Sequence, residues 1–278
     1  WKKSIFQVYK EASINLGWTK KLYNLCKKIN IDFFTSPYSF EMVDHVKKYV
    51  CAFKIGSGDI TWLEILNYIS KLNKPVILAT GASSFEDVKL AINTIKKNTK
   101  DVCIMQCNTN YTAKSDNFNY INLKVLNTYK KKFPFAVLGL SDHTHGHATV
   151  LGAISLGARV IEKHFTLSNK LNGPDHEFSM NPKSWKDMIL RSRELELSLG
   201  DGIKKVEKNE KETVIVQRRG AHLNKNKFKN QKLEKKDIIF LRPALKGSIY
   251  PNQIQKVKNK KFLKSKKNGD IILWKDLK

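Results

Sequence analysis

Between residues 31 and 164 the chain carries six short apolar runs, each closing on small or polar residues: 31–36, 51–56, 75–81, 102–108, 136–141 and 158–164. Between and after them lie amphipathic stretches near 40–48, 62–72, 84–97, 118–131, 146–156 and 183–199. A further stretch, 18–30, repeats Trp18, Leu22, Leu25, Cys26 and Ile29 at helical spacing. Continuous apolar strands alternating with amphipathic helices predict a parallel sheet covered on both faces.

Two α/β folds give that alternation: an open doubly wound sheet and a closed (β/α)8 TIM barrel. The first calls for a phosphate loop or a dinucleotide fingerprint, and only a lone Gly56-Ser57-Gly58 is present. In a barrel, functional residues gather at the C-terminal ends of many strands. Here the run ends carry Thr35-Ser36, Lys54 with Ser57 and Asp59, Thr80, Asn108-Thr109, Ser141-Asp142-His143 and Glu162-Lys163-His164. The barrel is therefore the expected fold, with about six of its eight βα units present: either the first two strands lie ahead of Trp1 or the barrel is not closed. After Gly200-Asp201-Gly202 the texture changes to short alternating runs at 214–217, 238–241 and 271–274. The expected organisation is a barrel domain over 1–202, a linker over 203–212 and a small β-rich domain over 213–278.

Charge adds one question. The 278 residues hold 51 basic and 25 acidic side chains, a net charge of +26. Residues 1–202 contribute +10 and 203–278 contribute +16. A basic chain invites a polyanion-binding role. But 45 of the 51 cations are lysine, whereas bidentate reading of phosphate and guanine favours arginine. Lysines spread over helix faces read as solvated surface, so no nucleic-acid partner is expected. No apolar run reaches the roughly 18 residues of a membrane span, so no membrane association is expected. Four scattered cysteines form no disulfide framework, which points to a reducing, cytoplasmic setting.

The strand ends supply the chemistry. His143 and His164 close two consecutive strands, and neighbouring strands are about 5 Å apart. Two imidazoles so placed can share one divalent cation with open positions. Asp142 or Glu162 could add a carboxylate or orient a ligand. His145 and His147 extend the run to H-x-H-x-H, but lie past the strand and are not expected to be ligands. Lys54, Ser57, Thr80, Ser141 and Lys163 converge on one pocket and suit a phosphate or carboxylate. Lys54 interrupts an apolar strand, and a buried lysine needs an anionic partner. Asp59 is a candidate acid, base or hydroxyl acceptor, or else a helix cap. Cys107 reads as an inert buried thiol. Asp175 and His176, in the loop 173–180, are candidates for the pocket mouth.

Four ordered motifs carry a resemblance: Lys54-Ile-Gly-Ser-Gly-Asp59, Leu140-Ser-Asp-His-Thr144, Leu156-Gly-Ala-Arg-Val-Ile-Glu-Lys-His-Phe-Thr166 and Gly173-Pro-Asp-His176. In this order and spacing they resemble the N-acetylneuraminate (sialic acid) synthase family. Leu241-Arg-Pro243 and Lys267-Asn-Gly-Asp270 resemble its C-terminal antifreeze-like SAF domain. The resemblance implies a transferase that condenses phosphoenolpyruvate with N-acetylmannosamine or a related amino-sugar aldehyde, releasing phosphate, in surface polysaccharide biosynthesis. It leaves legionaminic or pseudaminic acid synthase as alternatives, and a non-catalytic polyanion-binding protein as the alternative of another class.

By motif, the resemblance implies that His143 and His164 hold Mn or Mg. Lys54, Ser57 and Ser141 would clamp phosphoenolpyruvate, with Ser36, Thr80 and Thr109 as further candidates. Asp59, Tyr111 and Asp175 would contact the acceptor. Arg242 would reach the partner's active site in a domain-swapped homodimer. Two departures stand out. The family's opening strand with its catalytic Glu and Asn-His pair, and the phosphate-binding Lys of its second strand, are not in this chain. Many members also carry Glu where Asp59 stands.

Overall fold

The computed structural model describes residues 4–278. The expectation about where Trp1 falls in the fold lies outside the described residues. The chain forms two compact units, one ending at Gly200 and one spanning Asp201–Lys278.

The first unit opens with two helices, α1 (Ile5–Ala12) and α2 (Gly17–Lys28). Six more follow: α3 (Phe40–Val46), α4 (Leu63–Ser70), α5 (Phe85–Lys96), α6 (Val125–Lys132), α7 (Ala148–Ser155) and α8 (Pro182–Leu199). Five strands are interleaved with them: β1 (Phe53–Ile55), β2 (Val76–Ala79), β3 (Val102–Cys107), β4 (Val137–Asp142) and β5 (Val160–Lys163). The strands pair in sequence order and all in parallel, giving a curled half-barrel sheet.

This differs from six barrel strands. The run 31–36 contributes only one parallel bridge, Thr35 to Phe53. Among the described residues it has a partner on the β1 side alone, so it makes no ladder. The helical stretch expected at 118–131 is also divided, into a 3-10 turn (Ser115–Tyr120) and α6.

Local chemistry explains where the helices start. Ser84 caps α5, its hydroxyl accepting from the Asp87 N–H while the Asp87 carboxylate accepts from the Ser84 N–H. Asn181 caps α8 in the same way, and Pro182 takes the first helical position, where a missing N–H costs nothing. Gly200 ends that helix with φ of 61°, a conformation that favours glycine.

The core lies between the outer face of the sheet and the helices. Phe53, Leu78, Ile104 and Leu140 from the strands meet Val43, Leu66, Ile92 and Leu126 from the helices, all fully buried. Each such side chain stabilises the fold by about 1.5–3 kcal/mol before entropy is counted. Side chains alternate between the two faces with a period of two. The opposite parity, running through Lys54, Ile77, Met105, Gly139 with Val160, and Ser141 with Glu162, therefore faces the concave side.

The second unit has its own core of Ala221, Leu223, Leu233, Ile249, Val257, Phe262, Ile272 and Leu277. Its one two-stranded ladder pairs β6 (Gly220–Leu223) with β7 (Ile238–Leu241), antiparallel. The run 214–217, expected as a strand, belongs to helix α9 (Lys211–Gln217). Its Val214-Ile-Val216 is β-branched, yet it lies beyond the end of the ladder with no strand to pair with, and local helical bonds satisfy the backbone instead. The run 271–274 makes single antiparallel bridges, Ile271 to His222 and Leu273 to Ser248. No helix among the described residues is long and apolar enough to cross a membrane.

Candidate active site

The concave face of the sheet holds a hollow of about 350 Å³ whose border includes Thr35, Ser36, Lys54, Glu162, Lys163 and Trp185. That is the size of a small-metabolite pocket. Lys54, on β1, is 8% exposed, and its ammonium lies 3.3 Å from Glu162 Oε2. Ser141, on β4, donates its hydroxyl to Glu162 Oε1 at 3.0 Å. Glu162 is thus the anion that the buried lysine requires. It joins three strands in one line: cation, carboxylate, hydroxyl.

Two residues further along the same strands stand the histidines. Their ring centroids are 5.0 Å apart. His143 is buried and its Nδ1 lies 2.7 Å from the Asn108 carbonyl. A carbonyl only accepts, so Nδ1 carries the proton and Nε2 keeps its lone pair. Burial lowers the His143 pKa below 6.5, against the opposing pull of the Asn108 hydrogen bond. The ring is therefore neutral at physiological pH, as a metal ligand must be. His164 has Asp175 Oδ2 3.3 Å from its Nδ1, an arrangement that orients an imidazole in the same sense. Tyr111 packs on His143 at 4.3 Å and on His164 at 5.6 Å, and Phe178 joins the cluster at 6.1 and 5.0 Å from the same rings and 6.0 Å from Tyr111.

This donor set fits a divalent cation held by two imidazoles with open positions. No third His, Cys, Asp or Glu completes a cluster among the described residues. Asp142 and Glu162, the carboxylates expected to assist, are committed elsewhere. Glu162 is turned to Lys54 and Ser141. Asp142 lies one residue beyond Ser141, hence on the opposite face, buried against the helices.

The same one-residue step decides how two further candidates are turned. Lys163 follows Glu162 and points to the helix side, where its ammonium sits 2.7 Å from Asp142 Oδ2 with the side chain 1% exposed. Its ammonium is spent on Asp142, while the residue itself still borders the hollow. Thr80 follows Ala79 and faces the same way, donating to the Met105 carbonyl and accepting from the Tyr129 hydroxyl. Both residues end strands, but strand-end position does not fix the face.

The remaining candidates are spread around the rim. Ser57 accepts from the Gly81 N–H at 2.9 Å and lines a second hollow with Thr109 and Tyr111. Asp59 sits in the turn Ser57–Asp59 after β1, and burial raises its carboxyl pKa. It does not cap α4, which has no side-chain cap. His176 hydrogen-bonds Thr166 at 2.7 Å. His147 precedes α7 and lies 3.5 Å from Asp187, while His145 packs on Phe118. Cys107 is buried, and burial raises its pKa. Arg242, in the second unit, donates from Nε to the Gln217 carbonyl at 2.6 Å. Asn108 and Phe178 received no role from the sequence. Asn108 acts through its backbone carbonyl, which any residue type carries, and Phe178 looks like any core aromatic.

The sequence pattern of the NeuB family matches residues 1–204. The chain belongs to the NeuB family. Among its relatives is the N,N'-diacetyllegionaminic acid synthase of Campylobacter jejuni, 35% identical over 94% of this chain and 78% of that protein. The pseudaminic acid synthase of Helicobacter pylori is 29% identical over 95% of this chain and 77% of its own length. Among solved structures, the N-acetylneuraminic acid synthetase of Leptospira borgpetersenii superposes with a TM-score of 0.66 at 28% identity, covering 74% of this chain and 71% of that one. The five-stranded sheet of this NeuB-family chain is the part of the fold that carries the histidine pair.

Proposed function

We propose that this chain is a nonulosonic acid synthase, joining phosphoenolpyruvate to an amino-sugar aldehyde and releasing phosphate. One observation carries the reading. A histidine pair stands above a Lys54–Glu162–Ser141 line on one face of a parallel sheet. A carbonyl electrophile and an anionic donor need just these two halves side by side.

In the reaction, C3 of phosphoenolpyruvate bonds to the aldehyde carbon. Water then adds at C2, and cleavage of the C2–O bond releases phosphate and leaves a 2-keto acid. Lys54 has three N–H donors and uses one on Glu162, so two remain for the donor's phosphate or carboxylate. Ser141 and Ser57 add hydroxyls, with Ser36 and Thr109 at the edge. Asp59, Tyr111 and Asp175 meet the acceptor. Tyr111 keeps its phenolic proton, because burial raises its pKa, and so serves as a donor. His143 and His164 would hold Mn or Mg, which supplies Lewis-acid polarisation of a carbonyl oxygen when bound.

The second unit takes the SAF-like role in this reading, with Arg242 reaching the pocket of a partner in a domain-swapped homodimer. The acceptor is read as a 2,4-diacetamido sugar or N-acetylmannosamine, and likeness to a legionaminic acid synthase favours the former. Four free cysteines suit a cytoplasmic enzyme.

The test is phosphate release from phosphoenolpyruvate with Mn and each sugar in turn, using the protein and its His143→Ala variant. Turnover with one sugar, abolished in the variant, is expected. Phosphate release that is indifferent to His143, or none with any amino sugar, sinks the proposal.

A further inference from the structure

Asp142 and Lys163, whose polar ends turn away from the pocket, form a densely bonded buried cluster. Asp142 Oδ2 receives the Lys163 ammonium at 2.7 Å and the hydroxyls of Thr149 at 2.6 Å and Thr144 at 3.0 Å. Asp142 Oδ1 accepts the Thr144 N–H at 3.0 Å. Lys163 also donates to the Thr144 carbonyl at 2.5 Å. The two ionic side chains are 1% and 0% exposed.

Four pieces of chain are fastened at this point: the end of β4, the loop after it, the first turn of α7 and the end of β5. Asp142 and Lys163 are the last registered pair of the β4–β5 ladder. The next residues on each strand are His143 and His164. His143 is held between two anchored neighbours, Asp142 and Thr144, and His164 leaves directly from Lys163. Beyond this pair the β4–β5 ladder bonds neither histidine to the other: His143 is tied to the Asn108 carbonyl and the His164 carbonyl to the Met180 N–H, so their mutual spacing is set where the ladder ends.

We propose that the Asp142–Lys163 ion pair, with Thr144 and Thr149, is a clamp that sets the spacing of His143 and His164 for a divalent cation. Asp142 and Lys163 are then positioning residues, acting through the histidines from the far face of the sheet. The inference rests on the reading that the two histidines hold the metal. Stability alone does not account for the arrangement. Removing both charges of a buried pair together is often neutral for folding, whereas a spacing device fails when either end is cut.

That contrast supplies the experiment. The full chain, metal-free, is titrated with Mn while free Mn is followed by electron paramagnetic resonance, and its melting is recorded alongside. The variants are Asp142→Asn/Lys163→Met, which removes both charges but keeps an acceptor for the Thr144 N–H, and Thr149→Val, which removes one hydroxyl at nearly constant volume. Loss of partners that orient metal ligands typically weakens affinity 10–100-fold. The Mn Kd is expected to rise at least about 10-fold in the double variant, with a smaller rise in Thr149→Val and recovery in Thr149→Ser. Variants that melt like the parent and bind Mn with unchanged Kd overturn the clamp while leaving the histidine site standing. If the double variant does not fold, Thr149→Val against Thr149→Ser decides alone. A parent chain that binds no Mn overturns the metal reading, and the clamp with it.

Discussion

Asp59 shows how one residue can report its surroundings. Burial raises its carboxyl pKa above the ordinary 3.8. A raised folded pKa means that the neutral form is favoured in the native state, so the stabilisation is complete below pH 3.8 and is lost as pH rises through the folded pKa. Asp59→Asn, which cannot ionise, should therefore gain in melting temperature over the parent as pH is raised from about 3.5 towards 7, with no further gain above. Thermal melts across that range check the sign; a gap that narrows with rising pH would contradict it. Lys54 was legible as a site residue from sequence because a cation in an apolar strand calls for an anion. Its partner Glu162 was named only as an aid to the histidines. Which of two adjacent residues, Glu162 or Lys163, enters the pocket is a matter of face. That is read from register, not from residue type.

At the scale of elements, β4 is the strand on which the site depends, and Gly139 is its tightest point. A Cβ there would lie 2.9 Å from Met105 Cγ and 2.9 Å from the Val160 carbonyl oxygen. The latter is backbone and cannot turn aside. Gly139→Val should destabilise the first unit by about 1–3 kcal/mol through overpacking. It should also displace Ser141 two residues along, so activity should fall further than the fraction folded. Urea denaturation and turnover on the same samples separate the two effects. Most helices were legible from periodicity: the stretch 84–97 became Phe85–Lys96 and 183–199 became Pro182–Leu199. The edge run 31–36 and the run 214–217 were not. Strand formation needs a partner, and apolar alternation does not say whether one is there.

For the whole molecule, two cores imply two places where stability is held. Phe262 is fully buried at the centre of the second unit. Phe262→Ala should cost that unit about 3–5 kcal/mol, and limited proteolysis should then cut within 201–278 while the sheet of the first unit stays protected. Equal sensitivity of both units would instead mean that they unfold as one. The net charge of +26 falls mainly on exposed lysines. A few are internal. Asp237 is fully buried and takes the ammonium of Lys225 at 2.6 Å and that of Lys227. Lysine excess in the second unit thus has a partly structural use that composition does not disclose.

By itself the sequence determined the parallel α/β character, the break near residue 200, the family, and the histidine pair with Lys54 and Ser141. The first two follow from local periodicity and composition, the family from the resemblance of its ordered motifs, and the site residues from types that are costly to bury without purpose. Tertiary structure decided the rest: five ladder strands, the Glu162 carboxylate turned into the pocket, and the polar ends of Lys163, Asp142 and Thr80 turned away from it. The reason is the two-residue period of a strand. A shift of one position carries a side chain from the ligand face to the helix face, and only pairing with neighbouring strands fixes which face is which.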